Sequence, residues 1–405
     1  MVRVSSHQIP DIMSKRLLYL LFILVQLPPV LAQTEKNLRK ESDNSMPVIE
    51  GKQEEAQYFS ALPVMEQVYQ KQTTTWYQNQ KQIWGQKAAG HQKDADAWLN
   101  YYKAARYAGA DQQELNDLIQ QMSVVIPGTF EYHYARYLNS NRDLSYAKDL
   151  LNAYMLQPNR TELYKEIALY FTWSGDQENL EKILKKWKSA GEIPDALNQY
   201  AHNLLATPSV NALLITDGEY DTYPLWIMQQ VDKYRTDVKV LNISLLDKTQ
   251  YRTDILKKYG LSCSYAGNNH AKIIQTLLHE NPSATFYFSF TINTSTLQSI
   301  QSNLYNEGLA YRYAKDKYNS LSRLEQNWEK QFELSYLDAK IKGSKIFTQQ
   351  KMQALYLNYV ASGLELYDYY MTKSEKDKAT RLLQRLRGLA AQQSKESLIE
   401  QYIKP

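Results

Sequence analysis

From about Leu62 to Ala206, apolar and aromatic side chains return at helical spacing: Trp98, Tyr101, Tyr102 and Ala105, then Leu115, Leu118, Ile119 and Met122. Each segment carries one apolar stripe, so the pattern predicts amphipathic helices that must pair to bury it. Pairs are predicted to begin near Asp94, Thr129 and Thr161, which lie 32 to 35 residues apart, with Pro127, Pro158 and Pro194 where one pair hands over to the next. Near Ser209 the period changes. Asn211–Thr216 is a short apolar run that ends in the polar turn Asp217-Gly218-Glu219, Pro224–Val231 has helical spacing, and Val238–Ser244 reads as a second strand. A strand, helix, strand unit of this kind is built right-handed with parallel strands.

The pair spacing in the first region matches the ~34-residue period of tetratricopeptide-like helical hairpins. Trp98, Tyr164, Ala105, Ala147 and Ala168 fall near the expected knob and close-contact positions, while the usual glycine of the first helix is missing. The reading is a degenerate helical-repeat domain over 61–206, with an irregular bundle of the same local packing as its alternative. In the second region, helical stretches at about Tyr251–Lys258 and Ala271–His279 precede a third strand, Thr285–Phe290. A helix near Leu297–Asn306 and a last strand, Leu309–Tyr313, would complete a small parallel-sheet, Rossmann-like α/β domain over 207–320. Residues 321–405 return to helical spacing, at Leu324–Leu337, Phe347–Met371 and Lys376–Ala391, the last two forming a hairpin with Ser374 at the N-cap. The expected fold class is therefore α with an α/β module: helical hairpins, a small parallel sheet, and a C-terminal helical hairpin.

The start of the chain adds a compartment. Met13-Ser14-Lys15-Arg16 precedes the apolar run Leu17–Val25, and Val30-Leu31-Ala32 offers a small-residue cleavage site. Residues 1–32 are expected to be a signal peptide with Met13 as its start. An uncleaved anchor is the competing reading, against which stand the shortness of the run and its break at Pro28-Pro29. Residues 33–60 are polar and without apolar period, as in a flexible tether. No cysteine stands at the end of the apolar run, where a lipid anchor would need one, and no second run of spanning length occurs, so the mature protein is expected to have no membrane span and to be periplasmic or otherwise extracytoplasmic.

Charge and composition narrow the classes further. The 47 Lys and Arg against 43 Asp and Glu leave +4, and removal of 1–32 lowers it to +2, so nucleic acid is not an expected partner. One cysteine and six scattered histidines argue against a disulfide scaffold and a Cys-based zinc site, and no metal or cofactor is expected. The 33 tyrosines are spread along the whole chain, which suits packing material better than a concentrated sugar platform. No Gly-rich phosphate loop, Gly-x-Ser-x-Gly elbow or His-Glu-x-x-His is present.

The most chemically loaded stretch is Asp217–Pro224, at the carboxyl end of the first strand, where open α/β sheets bind ligands. Asp217, Glu219 and Asp221 could accept hydrogen bonds from sugar hydroxyls or hold a divalent cation. The same residues also have a structural reading, with Asp221 or Thr222 as an N-cap, Pro224 in the first helical turn, and acidic groups favoured by the helix dipole. Trp226 reads as core or as a stacking platform, Asn242 as a buried amide that needs a partner, and Arg235 and Asp237 as a pair across their turn.

Leu213–Trp226, with its Asp-Thr-Tyr-Pro-Leu-Trp core, and Tyr234–Leu246, with its Arg-x-Asp-Val turn, resemble the soluble C-terminal region of bacterial multi-pass membrane proteins related to the protein O-mannosyltransferases. Glu307–Arg312 matches as well, and the resemblance covers about 211–391. Asp217, Glu219 and Tyr220 depart from the family's Asn, Asp and Asn, and helical repeats stand where the family has its membrane-embedded half. The resemblance thus implies an extracytoplasmic recognition domain and does not imply transferase activity. The leading expectation is a non-enzymatic interaction or scaffold protein whose repeats hold a protein partner in the cell envelope. The alternative is a glycan-binding or glycosylation-accessory protein using Asp217, Glu219, Asp221, Thr222, Trp226 and Asn242, and an acidic-loop hydrolase or transferase is the third reading.

Overall fold

The computed structural model describes residues 60–64, 72–343 and 347–403, so the expected signal peptide and nearly all of the expected tether lie outside the described residues. The chain divides into two units at Ala190–Gly191.

The first unit is helical: α1 Thr74–Gly90, α2 Ala95–Tyr107, α3 Gln112–Val125, α4 Phe130–Asn139, α5 Ala147–Leu156, α6 Tyr164–Ser174 and α7 Gln177–Ser189. Helix starts follow local capping chemistry. Asp94, Asp111, Thr129 and Asp176 each accept a hydrogen bond from the backbone N–H three residues on, which satisfies one of the orphan donors of the first turn. The expected pairs are present as α2 with α3, α4 with α5, and α6 with α7, preceded by α1, which packs along α2. Trp98, Ala105, Ala147, Tyr164 and Ala168 are all buried. Charges inside this unit are paired: Asp149 meets His133 at 2.8 Å and Arg136 at 3.4 Å, and Glu166 meets Arg142 at 3.2 Å and the Tyr137 hydroxyl at 3.0 Å.

The second unit begins with α8, Asp195–Ala206, which sequence spacing had grouped with the repeats but which packs against the helix after the first strand. Then follow β1 Leu213–Thr216, α9 Glu219–Gln230, β2 Lys239–Asn242, α10 Thr249–Tyr259, α11 His270–Glu280, β3 Phe286–Ser289, β4 Leu304–Asn306 and β5 Ala310–Tyr313. Helix α12, Leu321–Gln326, widens into a π turn at Asn327–Gln331, and α13 Gln349–Thr372, α14 Lys376–Ala391 and α15 Glu396–Ile403 complete the unit. Helices α13 and α14 form the expected hairpin.

The sheet order is β2-β1-β3-β5-β4. The first three strands are parallel, with Leu214 opposite Val240 on one side and Tyr287 on the other. β5 runs antiparallel to both β3 and β4, so the sheet is mixed where an all-parallel Rossmann-like sheet was expected. The cause lies in 297–306, expected to be helical. It gives one α turn at Thr294–Leu297 and 3-10 turns over Gln298–Asn303, and then β4. A tight turn follows, with Gly308 at φ 148° and its N–H on the Asn306 side chain at 2.9 Å, and it sends β5 back between β3 and β4. So short a link permits only an antiparallel pair, since a parallel return needs a crossover of about a dozen residues.

Two further expectations are corrected. The helix expected over Leu324–Leu337 ends at Gln331, and the chain beyond runs irregularly with its polar groups met by side chains of α8. Ser374 does not cap α14; it stands at φ 62° in the left-handed position that ends α13, and Glu375 precedes α14 without a side-chain cap bond. Among the described residues, no helix is long and apolar enough to cross a membrane.

Candidate functional site at the strand tips

Each parallel strand has an apolar interior and closes on a polar residue: Leu-Leu-Ile-Thr, Lys-Val-Leu-Asn and Phe-Tyr-Phe-Ser. The final side chains, Thr216, Asn242 and Ser289, are buried and lie at one end of the sheet. Buried polar atoms of this kind must be satisfied inside the protein, and the loop after β1 supplies the partners. Gly218, at φ 98° and ψ −179°, stands at the N-cap of α9, a conformation that favours glycine. The helix therefore opens at Glu219, earlier than a cap at Asp221 or Thr222 would place it, and Pro224 falls in its second turn instead of its first. Asp221 and Thr222 are thereby turned inward.

Thr222 Oγ1 lies 2.9 Å from Thr216 Oγ1 and accepts from Asn242 Nδ2 at 2.9 Å. Asn242 Oδ1 accepts the Leu245 N–H at 3.1 Å, so the amide found the partners its buried position demanded. Asp221, fully buried, accepts from the Asp217 N–H at 3.3 Å, from the Thr222 hydroxyl at 3.3 Å and from the hydroxyl of Thr291, whose oxygen also lies 3.0 Å from the Ser289 hydroxyl. Burial pushes the Asp221 carboxyl up to about 7, against the pull of the Thr291 hydroxyl and with repulsion from Asp217 adding to it. Asp217 is half-buried, takes the Ser244 hydroxyl at 2.7 Å, and is also raised by burial. Beside it His270 Nε2 lies 2.9 Å from Asp247 Oδ1.

The structure therefore brings Asp217, Asp221, Thr222 and Asn242 together and sets the others apart. Glu219 is half-exposed at the first position of α9. Trp226 is buried edge-on against Tyr223, which is the core reading. Tyr220, from the same loop, receives the Thr348 N–H on its hydroxyl at 2.9 Å and meets Phe347 edge-on. Arg235 and Asp237 form a two-point pair at 2.9 Å each, and the guanidinium also donates to the carbonyls of Leu205 in the last turn of α8 and of Pro208 and Ser209 beyond it. Sequence reasoning did not single out Thr216, Ser289, Thr291 or Ser244; a polar residue closing each apolar strand was the available signal. Among the described residues no three His, Cys, Asp or Glu side chains converge as a metal ion would need.

These features define a mixed α/β module with a polar, hydrogen-bonded lining at the tips of its parallel strands, set in a helical framework. Residues 197–264, which run from α8 through the strand-tip loop and past α10, match a family model described as TMEM260-associated domain 2. The yeast Tom70 crystal structure aligns over 81% of this chain and 59% of its own, at 9% identity and a TM-score of 0.25, so this chain spans less than two thirds of that structure. At that score the likeness bears on neither fold nor partner. No curated protein sequence matches the chain.

Proposed function

We propose that this chain is an extracytoplasmic interaction protein whose helical pairs hold a protein partner in the cell envelope. The observation that carries the reading is a repeated exposed apolar position. Val124 and Met155 each sit in the last turn of the second helix of a pair, three residues before the proline that hands on to the next pair, and each is 70% exposed. Leu156 adds to this at 50%. Equivalent positions in stacked repeats recur on the same side of the stack, so Val124 and Met155 would share one face, which the third pair does not extend because Gly191 stands three residues before Pro194. The compartment rests on the basic and apolar run of 13–25. Capture from envelope extracts tests the proposal. The wild-type chain should recover a reproducible partner that the folded double variant Val124→Asp, Met155→Asp loses; equal recovery by both chains overturns it.

A second reading, a glycan-binding accessory of protein glycosylation, draws on the mannosyltransferase-related resemblance, on the TMEM260-associated match at 197–264, and on the half-buried Asp217 with Ser244 at the strand tip. It places sugar hydroxyls on Asp217 and Glu219 and leaves Asp221, Thr222 and Asn242 to shape the loop. Unchanged glycan-array binding after Asp217→Ala, Glu219→Ala would remove it.

A further inference from the structure

A carboxyl taken out of water needs either a cation or several donors to stay ionised. Asp149 faces Arg136 and Glu166 faces Arg142, Glu307 takes the Tyr287 hydroxyl at 2.6 Å with Arg312 at 3.8 Å, and Asp221 has three donors. Glu365 of α13 has neither. It is half-buried, and its one hydrogen bond comes from Asn306 Nδ2, at 2.9 Å to Oε2. Among the described residues Oε1 has no partner and no cation acts on the group. The charge that does act on it is Asp368, three residues along α13 and of the same sign, itself held by the Tyr402 hydroxyl of α15 at 2.7 Å. Burial pushes the Glu365 carboxyl up to about 7, against the Asn306 bond and with Asp368 adding to it.

A second uncommitted group stands beside it. Asn306 lies opposite Tyr311 in the β4–β5 ladder, which sets the Tyr311 side chain close enough to Glu365 to feel its charge. Tyr311 is 5% exposed, yet its hydroxyl has no hydrogen-bond partner among the described residues, where a hydroxyl so placed normally finds one. Burial, and then the Glu365 charge, raise that hydroxyl above its usual range, so it stays protonated. The Tyr311 ring lies 4.3 Å from the ring of Phe290, tilted by 38°, and Phe290, the first residue past β3, is half-exposed. An acid oxygen, a phenolic oxygen and an aromatic ring therefore meet at one place that holds no positive charge. The Asn306 bond alone would need only an amide at position 365.

We propose that Glu365, Tyr311 and Phe290 form a binding site for a primary ammonium group, as a lysine side chain or a small free amine carries. Its N–H groups reach Glu365 Oε1 and the Tyr311 oxygen, its charge favours the ionised carboxyl, and its methylenes and charge lie against Phe290. A neutral ligand would leave the buried acid without its counter-charge, and a metal ion would need more acidic or imidazole ligands than converge here among the described residues. The site shares no residue with the exposed apolar positions of the helical pairs or with Asp217 and Glu219, so its failure and theirs are distinguishable.

Isothermal titration calorimetry on the full chain tests this with two probes, Nα-acetyl-lysine methylamide and ethanolamine, and the tighter of the two identifies the source as a side chain or a free amine. Proton and ammonium compete for Glu365, while the ammonium keeps its own proton up to a pH of about 10. The tighter probe should therefore bind about tenfold better at a pH of about 8 than at about 6, because the ionised fraction of a carboxyl titrating at about 7 rises by that factor over the window. Acetylating the probe's amine removes the charge and should abolish binding. Glu365→Gln keeps an acceptor for Asn306 and, checked by a cooperative thermal melt, should weaken binding roughly tenfold or more; Tyr311→Phe should weaken it about threefold. Failure of both amines to bind, equal binding of the acetylated probe, affinity unchanged across that pH window, or full affinity in Glu365→Gln each overturns the proposal.

Discussion

The two units solve the same problem, what to do with polar groups inside a folded chain, by different means. In the helical unit the helix starts are answered locally, although Tyr137 of one pair also reaches Glu166 of the next. Each cap bond of α2, α3, α4 and α7 spans three residues, and His133 reaches Asp149 within one helix pair. In the second unit the answers are distant: Asn203 reaches Glu333, Asp221 reaches Thr291, and Asn306 Nδ2 donates to Glu365 at 2.9 Å. A local bond forms with its own helix and can be lost with little effect elsewhere. A distant one ties segments that have no other reason to meet, so its loss leaves two buried groups unpaired at once.

The largest expected effect follows directly. Asn203→Ala leaves the Glu333 N–H and carbonyl and the Tyr359 hydroxyl without their partner, and should destabilise the second unit by about 3 kcal/mol in urea-induced unfolding. If it costs no more than a cap substitution in the helical unit, the contrast between the units is wrong.

Protonation offers a second way to break the comparison, because among the described residues the carboxyls raised to about 7, Asp221 and Glu365, both lie in the second unit. For Asp221 the cause is burial, and its folded value lies above its unfolded one. The native state therefore binds more protons between pH of about 4 and 7, so this group's contribution to stability is full below that window and is lost as pH rises through it. Asp221→Asn keeps an acceptor for the Thr291 hydroxyl and the Asp217 N–H but cannot ionise. Its stability relative to the wild type should rise between pH 5 and 8, by about 2 kcal/mol after allowance for local relaxation. The difference between the two thermal-melt series isolates Asp221 together with its coupling to Asp217, since Glu365 is common to both chains. A parallel pair of series would show that the carboxyl keeps an ordinary affinity for protons.

These distant ties explain what could be read from residue order and what could not. Helix starts at Asp94 and Thr129, the strands at 213–216, 239–242 and 286–289, and the α13–α14 hairpin were all visible, because caps and apolar periods are properties of neighbouring residues. The π turn at Asn327 was not. Its amide donates to the carbonyls of Thr207 and Glu307, and the helical spacing of 324–337 carries no trace of either. Asp221 looked like a cap for the same reason. Its side chain answers to Thr291, 70 residues away, and only the conformation of Gly218 releases it from the helix start. At the candidate site the acidic loop was legible as a place, whereas the sorting of its carboxylates into inward and half-exposed was not.

Within the helical unit the matching substitution is Thr129→Ala. It removes the bond from the Tyr132 N–H and should cost about 1 kcal/mol, a third of the Asn203 effect, with the second unit's melting unchanged. A loss spread over both units would show that the division at Ala190–Gly191 does not describe cooperativity.

The smallest effect runs the other way. Ser374 holds a left-handed conformation at φ 62° at the end of α13, where its N–H reaches the Met371 carbonyl at 3.1 Å and its side chain forms no cap for α14. Glycine takes that conformation without the steric penalty of a Cβ, though it gains freedom in the unfolded chain. Ser374→Gly should therefore stabilise the second unit by about 0.5 kcal/mol, a shift of a degree or two in its melting. This is a local term inside the unit built on distant ones, so it should add to Asn203→Ala without coupling. Measurable coupling between the two would mean that the end of α13 senses whether segment 332–342 is seated on α8, and the line between local and distant terms would have to be drawn elsewhere.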